Sequence, residues 1–297
     1  MERKIKNNQL QALINLLDEP DDDIYSEIRQ KMVSFGPDVV PFLEEQWGKG
    51  NSDLRQKRLL NIIHKLQLEE LYRELTIWTN FESKDIWEGY YILNRFLYKD
   101  LKQENVDREL DRIRRDILFE LHDQLTPLQK VRVINHIMYE IHHFKGNTSP
   151  GDFINSYFIN HLFNRRRGSA LSLGILYMTL AQSLGMPVYG VLLPRHFILA
   201  YMEADFPGEI ARQSDVRFYV NPVYRGTVFT KREIARYLKQ SKQDVDNRFF
   251  YPSTNREVLG RLIEEIQLGY ENRDKIEHVE ELEYLKSALN LAQNAEE

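Results

Sequence analysis

The stretch RRRGSALSLGILYMTLAQSLGMPVYG, residues 165–190, decides how the rest of the chain is read. Three arginines run into Gly168, a residue suited to a tight turn, and Ser169 carries the short hydroxyl favoured at a helix N-cap. The run that follows is apolar almost all round, through Ala170, Leu171, Leu173, Ile175, Leu176, Met178, Leu180, Ala181 and Leu184. That pattern predicts a helix buried on most sides. Gly185 stands where a left-handed C-terminal residue belongs, and Pro187 enforces the stop. A buried helix N-terminus favours a thiolate, because the helix dipole lowers its pKa. Yet the chain has no cysteine.

That absence excludes disulfides, thiolate–zinc sites and cysteine nucleophiles together. With 297 residues, about two domains are expected at roughly 150 residues each. A hydrophobic content of 42% with 11% aromatics supports packed cores rather than disorder. The 45 acidic and 40 basic residues leave a net charge of −5, so no bulk positive field invites nucleic acid. The opening MERKIKNNQLQ lacks the apolar run of a signal peptide. The most apolar segment, Leu171 to Leu184, contains Ser172, Gln182 and Ser183 and is too short to span a bilayer. The expectation is a cytoplasmic protein with no membrane or nucleic-acid partner.

Outward from the stretch, residues 1–80 read as amphipathic helices. Leu10, Leu13 and Leu17, then Ile24, Ile28 and Met32, then Leu59, Ile63, Leu66 and Leu71 recur at helical spacing. Breaks fall at Glu19-Pro20-Asp21 and Gly36-Pro37. Two helix–turn–helix units of this kind are compatible with HEAT-type repeats or with a plain helical cap. Residues 82–124 continue helical, with Leu110, Ile113, Ile117, Leu118 and Leu121 predicted as one buried stripe. Thr126-Pro127 opens a further helix, an N-cap followed by proline.

After Pro187 the period changes. VYGVLLP, HFILAYME and RFYVNPVY are short, β-branched and aromatic, and predict three strands. Tyr189, Tyr201, Phe218 and Tyr219 alternate along them as core residues. TKREIARYLKQ returns to helix, and 255–297 predicts one or two closing helices with Leu282, Leu285 and Leu289 on one face. The expected fold is α+β and mostly α, a buried helix on a small antiparallel sheet with helical regions on both sides. The expected divisions are 1–80, 81–245 and 246–297.

A histidine on one strand and a carboxylate or amide on the next would complete a thiol site, and the chain supplies His196 and Asn221. The pattern of glycine, buried helix, LGMP and strand, then His196 and Asn221, resembles a transglutaminase-like, papain-type core. More closely, INHIMYEIHHFKGN, NSYFINHLFNRRRG, LSLGILYMTLAQSLGMPVYGVLLPRHFILAY and VNPVYRG, in that order, are similar to the SirB family. That likeness covers roughly residues 80–240 and implies tetratricopeptide-like helices beyond the core. Counting back from Leu184-Gly185-Met186-Pro187 places Gly168 on the motif glycine and Ala170 on the cysteine position. The resemblance therefore implies a relict site of Ala170, His196 and Asn221. Arg167, Gly168, Arg195 and Tyr224 flank it as candidate ligand contacts.

A serine could stand in for the thiol. Ser172 lies two residues past Ala170, roughly 200° around the helix, and faces elsewhere. Ser169 is adjacent, but an N-cap hydroxyl is engaged with the backbone. Ala170-Leu171-Ser172-Leu173-Gly174 also resembles a relaxed nucleophile elbow, which needs a preceding strand that NRRRG does not predict. The leading expectation is a non-catalytic binding or regulatory module for a protein or peptide. Its alternative is a hydrolase or amide-acting enzyme of altered mechanism, with His196 activating water or Ser169. His136, Glu140 and His143, at i, i+4 and i+7, could offer metal ligands from one helix face, but a polar helix surface is the simpler reading. No cofactor motif is present. Arg165, Arg166 and Arg167 point in different directions and predict a solvated run with one internal salt bridge.

Overall fold

The structure is a computed structural model, and it describes residues 2–49, 52–83, 85–147, 153–194, 196–203, 216–242 and 246–290. The chain divides into two compact units, Met1–Glu74 and Leu75–Glu297.

The first unit holds helices α1 (Glu2–Asn15), α2 (Asp22–Val33), α3 (Val40–Trp47) and most of α4 (Asp53–Ile77). Leu10, Ile14, Leu17, Ile28, Met32, Leu43, Leu59, Ile63 and Leu66 form its core. Ile24 departs from the helical-spacing expectation and is 40% exposed. It sits in the first turn of α2, whose N-cap is Asp21, accepting from Asp23 N and Ile24 N. Arg58 is buried on α4 and donates to the Leu17 and Glu19 carbonyls, which close the first helix. Its second nitrogen meets Asp22 Oδ1 at 2.9 Å, and its guanidinium lies over the Tyr25 ring. One side chain thus satisfies the carbonyls left at a helix end and orients the helix that follows.

The second unit runs through α5 (Ile86–Asn94), α6 (Gln103–Glu120) and α7 (Pro127–Asn135), the last continued by a π-helical turn at His136–Ile141. Strand β1 (Lys145–Gly146), α8 (Ile159–Arg165), β2 (Arg167–Gly168) and α9 (Ala170–Ser183) follow. Then come β3 (Val188–Leu193), β4 (His196–Met202), β5 (Val216–Asn221), β6 (Thr227–Phe229), α10 (Lys231–Gln240), α11 (Asn255–Glu271) and α12 (Ile276–Asn290). Strands β3-β4-β5-β6 make one antiparallel sheet in sequence order. Three of its strands are those predicted; β6 is a fourth, only three residues long.

Helix α9 covers one face of the sheet. Its residues Leu171 to Met178 are buried without a break, as the all-round apolar pattern requires. The Phe197 ring of β4 lies against Gly174 of α9 and Gly190 of β3, where an added Cβ would approach it to 2.3 and 2.7 Å. On the other face Val191, Leu193, Ile198, Ala200, Met202 and Tyr219 pack with Ile234 and Leu238 of α10 and with Phe250. Coverage on both faces explains why β4 reads as a continuous apolar run rather than an alternating one. At its C-terminus α9 closes with Gly185 at φ 71°, Gly185 N on Gln182 O and Met186 N on Ala181 O, a Schellman arrangement.

Helix α6 corrects the predicted stripe. Val106, Ile113 and Ile117 are buried, but Leu118 is 58% exposed. The true stripe follows i, i+7 and i+11, so Leu118, one position past Ile117, turns about 100° outward. Helices α11 and α12 close the unit as a pair, burying Leu262, Ile266, Leu282, Leu285 and Leu289.

Candidate functional site

The site is built at the head of α9 and the near ends of β4 and β5. Gly168 is buried in the two-residue strand β2, which pairs in parallel with β1. A strand therefore does precede the helix, contrary to the expectation from NRRRG. A Cβ at Gly168 would stand 2.5 Å from Ser172 Oγ and 2.8 Å from Leu162 Cδ1. Glycine is the one residue that lets β2 approach the first turn of α9 so closely. Ser169 N-caps the helix and accepts from Ser172 N at 3.1 Å. Ala170 is the first helical residue and is half-buried.

Both serine hydroxyls are engaged inward. Ser172 Oγ, fully buried, donates to Ser156 O at 2.7 Å. Ser169 Oγ lies 3.2 Å from Ser172 Oγ. Among the described residues its bonds go to Ser172 and none to His196. The elbow reading of Ser172 therefore lacks an exposed nucleophile, although a short strand comes before it.

His196 opens β4 and Asn221 ends β5, and their side chains meet, with Nδ2 of Asn221 3.3 Å from Nε2 of His196. The orientation of that amide is fixed by its other end. Asn221 Oδ1 accepts from the backbone N–H groups of Val223 at 3.1 Å and Tyr224 at 3.2 Å. Backbone N–H groups only donate, so the atom facing them is the oxygen and the atom facing His196 is the NH2. Nε2 must then accept, which puts the imidazole proton on Nδ1. Burial lowers the pKa of His196 below its ordinary 6.5. A donor facing Nε2 acts in the same direction, since it favours the neutral ring. With one nitrogen lone pair occupied and the other nitrogen protonated, the ring has no free lone pair to act as a base.

The turn holding Asn221 is tied down from several sides. Gly226 N donates to Asn221 O at 2.9 Å. Tyr139 OH donates to Pro222 O at 2.9 Å and Asn135 Nδ2 to Gly226 O at 2.8 Å. Asn135 Oδ1 in turn receives the hydroxyl of Tyr177, a buried residue of α9. Asn135, Tyr139 and Tyr177 support Asn221 without touching it; their one trace in the sequence is a polar group inside an apolar helix, which names no partner. Tyr237 of α10 also stands near His196, with ring centroids 5.9 Å apart.

The remaining candidates are placed as follows. Arg167 is half-buried in β2, and Tyr224 is 65% exposed, its backbone N–H on Asn221. Arg195 lies outside the described residues. Of the three arginines, Arg166 makes the internal bridge, to Glu109 at 2.9 Å, and lies over Phe144. His136 Nδ1 pairs with Glu140 Oε2 at 3.0 Å on the surface. His143 does not share that face, because the π turn at 136–141 changes the angular step and His143 lies beyond it with φ 58°. Neighbouring His142 is buried against Asp116 instead, at 2.8 Å. Among the described residues no three histidine, aspartate or glutamate groups are grouped to hold a metal, and no helix is long and apolar enough to cross a membrane.

Against known families, the model of the transglutaminase-like superfamily matches residues 104–264, from α6 to α11 and across the whole site. The chain belongs to that superfamily. Among curated proteins it is 25% identical over 177 residues to a UPF0162 protein of Vibrio cholerae, covering 57% of this chain and 63% of that one. A UPF0162 protein of Buchnera aphidicola is 20% identical over 201 residues, covering 67% of this chain and 71% of its own length. A segment of 77 residues is 34% identical to mouse F-box only protein 21, a quarter of this chain and 12% of that protein. No solved structure matches the chain.

Proposed function

We propose that this is a transglutaminase-like protein without thiol chemistry, in which the relict cleft binds a protein or peptide and serves regulation rather than turnover. The observation that carries the reading is the polarity of the Asn221–His196 contact. In a working thiol site the amide or carboxylate oxygen accepts a hydrogen bond from the histidine N–H and steadies the imidazolium. Here the amide donates instead, which favours a neutral ring with no base to offer. Ala170 at the helix head, with both nearby serine hydroxyls turned inward, supports the same conclusion. The order of the four segments 134–147, 155–168, 171–201 and 220–226 supports a place within the SirB family, and the α11–α12 pair is compatible with tetratricopeptide-like helices.

The purified full chain should leave peptide, amide and ester substrates unchanged beyond the solvent rate. Hydrolysis or acyl transfer that disappears in His196→Ala would overturn the proposal. The binding arm compares wild type with Ala170→Trp in a pull-down from its own host. Loss of a specific partner in the variant locates binding in the cleft, and identical capture by both removes it from there.

A further inference from the structure

A groove of about 510 Å3 opens between α8, the first two turns of α6 and the segment 95–102 that joins α5 to α6. The volume lies within the range of ligand clefts, roughly 300–1,000 Å3. None of its lining residues belongs to the site at Ala170, His196 and Asn221.

Both walls are held from behind. Asn94, buried at the end of α5, accepts from Ile159 N at the head of α8 and donates to Tyr90 O at 2.7 Å. The Tyr91 hydroxyl donates to Leu101 O at 2.9 Å and pins the connecting segment. Tyr98 packs edge-on against Phe158, with centroids 5.6 Å apart, and the Phe163 ring rests among Trp87 and Phe144. A groove fixed in this way need not be ordered when a ligand arrives.

Three carboxamides line the groove, Asn160 and Asn164 from α8 and Asn105 from α6. Among the described residues none of the three, nor the Tyr98 hydroxyl, has a hydrogen-bond partner. Asn160 and Tyr98 are half-buried, yet their polar atoms are not shut away from solvent as Trp87 Nε1 is. A carboxamide carries the donor and the acceptor of a peptide group in one plane. Asn160 and Asn164 stand one turn apart on one helix face, with Cβ atoms about 5–6 Å apart. Peptide groups along one edge of an extended chain recur every second residue, about 6.6 Å. The two spacings match within the reach of the side chains. The floor is apolar, with Val106 and Ile159 buried and Phe163 half-buried. Charge does not favour an ion of either sign. Lys99 and Lys102 line the groove with Asp100 and Glu109, and Glu109 is bound by Arg166 at 2.9 Å.

We propose that this groove binds an extended, uncharged stretch of a partner polypeptide. Asn160 and Asn164 bridge alternate peptide groups of its main chain, Asn105 meets it from the facing wall, and its apolar side chains lie on the floor. The assignment does not depend on what the relict cleft binds.

The test uses the full chain with isotope-labelled asparagine and the probe acetyl-Ser-Leu-Ser-Leu-Ser-amide. The side-chain NH2 resonances of Asn160 and Asn164, assigned by their loss in the alanine variants, should shift on titration, and that of Asn221 should not. Asn160→Ala with Asn164→Ala should weaken binding roughly tenfold or more. Its melting curve should be retained, because neither amide has a partner inside the protein to lose. Asn105→Ala, at an exposed position of α6, repeats the test from the other wall and should weaken binding about threefold. Methylating alternate backbone nitrogens of the probe keeps its side chains, removes the donors and should weaken binding as far as the double variant does. Ala170→Trp should leave binding unchanged, which separates this groove from the relict cleft. No shift at Asn160 and Asn164 under excess probe would overturn the proposal, as would undiminished binding by the alanine variants or of the methylated probe. Maltotriose shifting the same resonances as readily as the peptide would also overturn it, in favour of a carbohydrate.

Discussion

At the scale of single residues, the contact between Asn221 and His196 makes a prediction that a simple loss of the nucleophile does not. Ala170→Cys should yield a thiol whose pKa is lowered by the helix N-terminus alone, because the amide disfavours the imidazolium that would lower it further. Ala170→Cys with Asn221→Asp replaces the donor with a carboxylate and should lower the thiol pKa by a unit or more. The pH dependence of iodoacetamide alkylation measures both, and a single-variant pKa as low as that of the double variant would refute the orientation argued for Asn221. The histidine gives a second expectation. Its folded pKa is depressed below 6.5, so the unfolded chain binds more protons between the two values and stability rises with pH there. The stabilisation is complete above 6.5 and is lost as pH falls through the folded pKa. His196→Gln should flatten that part of the stability–pH curve, followed by urea unfolding at stepped pH.

At the scale of elements, α9 and the sheet meet through Phe197, which fills the space left by Gly174 and Gly190. Gly174→Ala should destabilise the second unit, and Phe197→Ala should cost about 3–5 kcal/mol from the cavity it leaves. The double variant should cost less than the sum, since the new methyl then has room; strict additivity in denaturant unfolding would show that the two do not share this contact. Asn135→Ala should cost about 2 kcal/mol by stranding Gly226 O and leaving the Tyr177 hydroxyl only its long contact with Val131 O. The same element scale shows what the sequence made legible. The all-round apolar run of α9 and the β-branched, aromatic strands could be read directly, because burial on every side leaves a compositional trace. Strand β6 was missed because three residues leave too little alternation to detect. The histidine face at 136–143 was misjudged because periodicity assumes 3.6 residues per turn, and the π turn breaks that assumption. Leu118 was placed inside because residue type alone does not say which of two adjacent leucine-like positions faces the core. The identity of Ala170, His196 and Asn221 could be read, but the direction of the hydrogen bond between the last two could not. It depends on which backbone N–H groups the Asx turn presents to Oδ1.

At the scale of the molecule, each unit carries its own core. That of the first unit, from Leu10 to Leu66, is closed around Arg58. Arg58→Ala strands the Leu17 and Glu19 carbonyls and removes the contact with Asp22. It should cost about 2–3 kcal/mol and raise amide exchange within residues 8–66. Amides of β3 and β4 should keep their protection; loss of protection there would mean the two units unfold together.

The close packing at Gly168 has a consequence for how such a protein changes over generations. A side chain at 168 collides with Ser172 and Leu162, so almost any replacement there is removed by selection on folding alone. Position 170, half-exposed in the next turn, carries no such obligation and can drift from one small residue to another at little cost in stability. On the function proposed above, position 170 is the easiest part of this architecture to lose, and the frame around it the hardest. Such a fold can persist in a lineage long after its original selective reason has lapsed, available for another use.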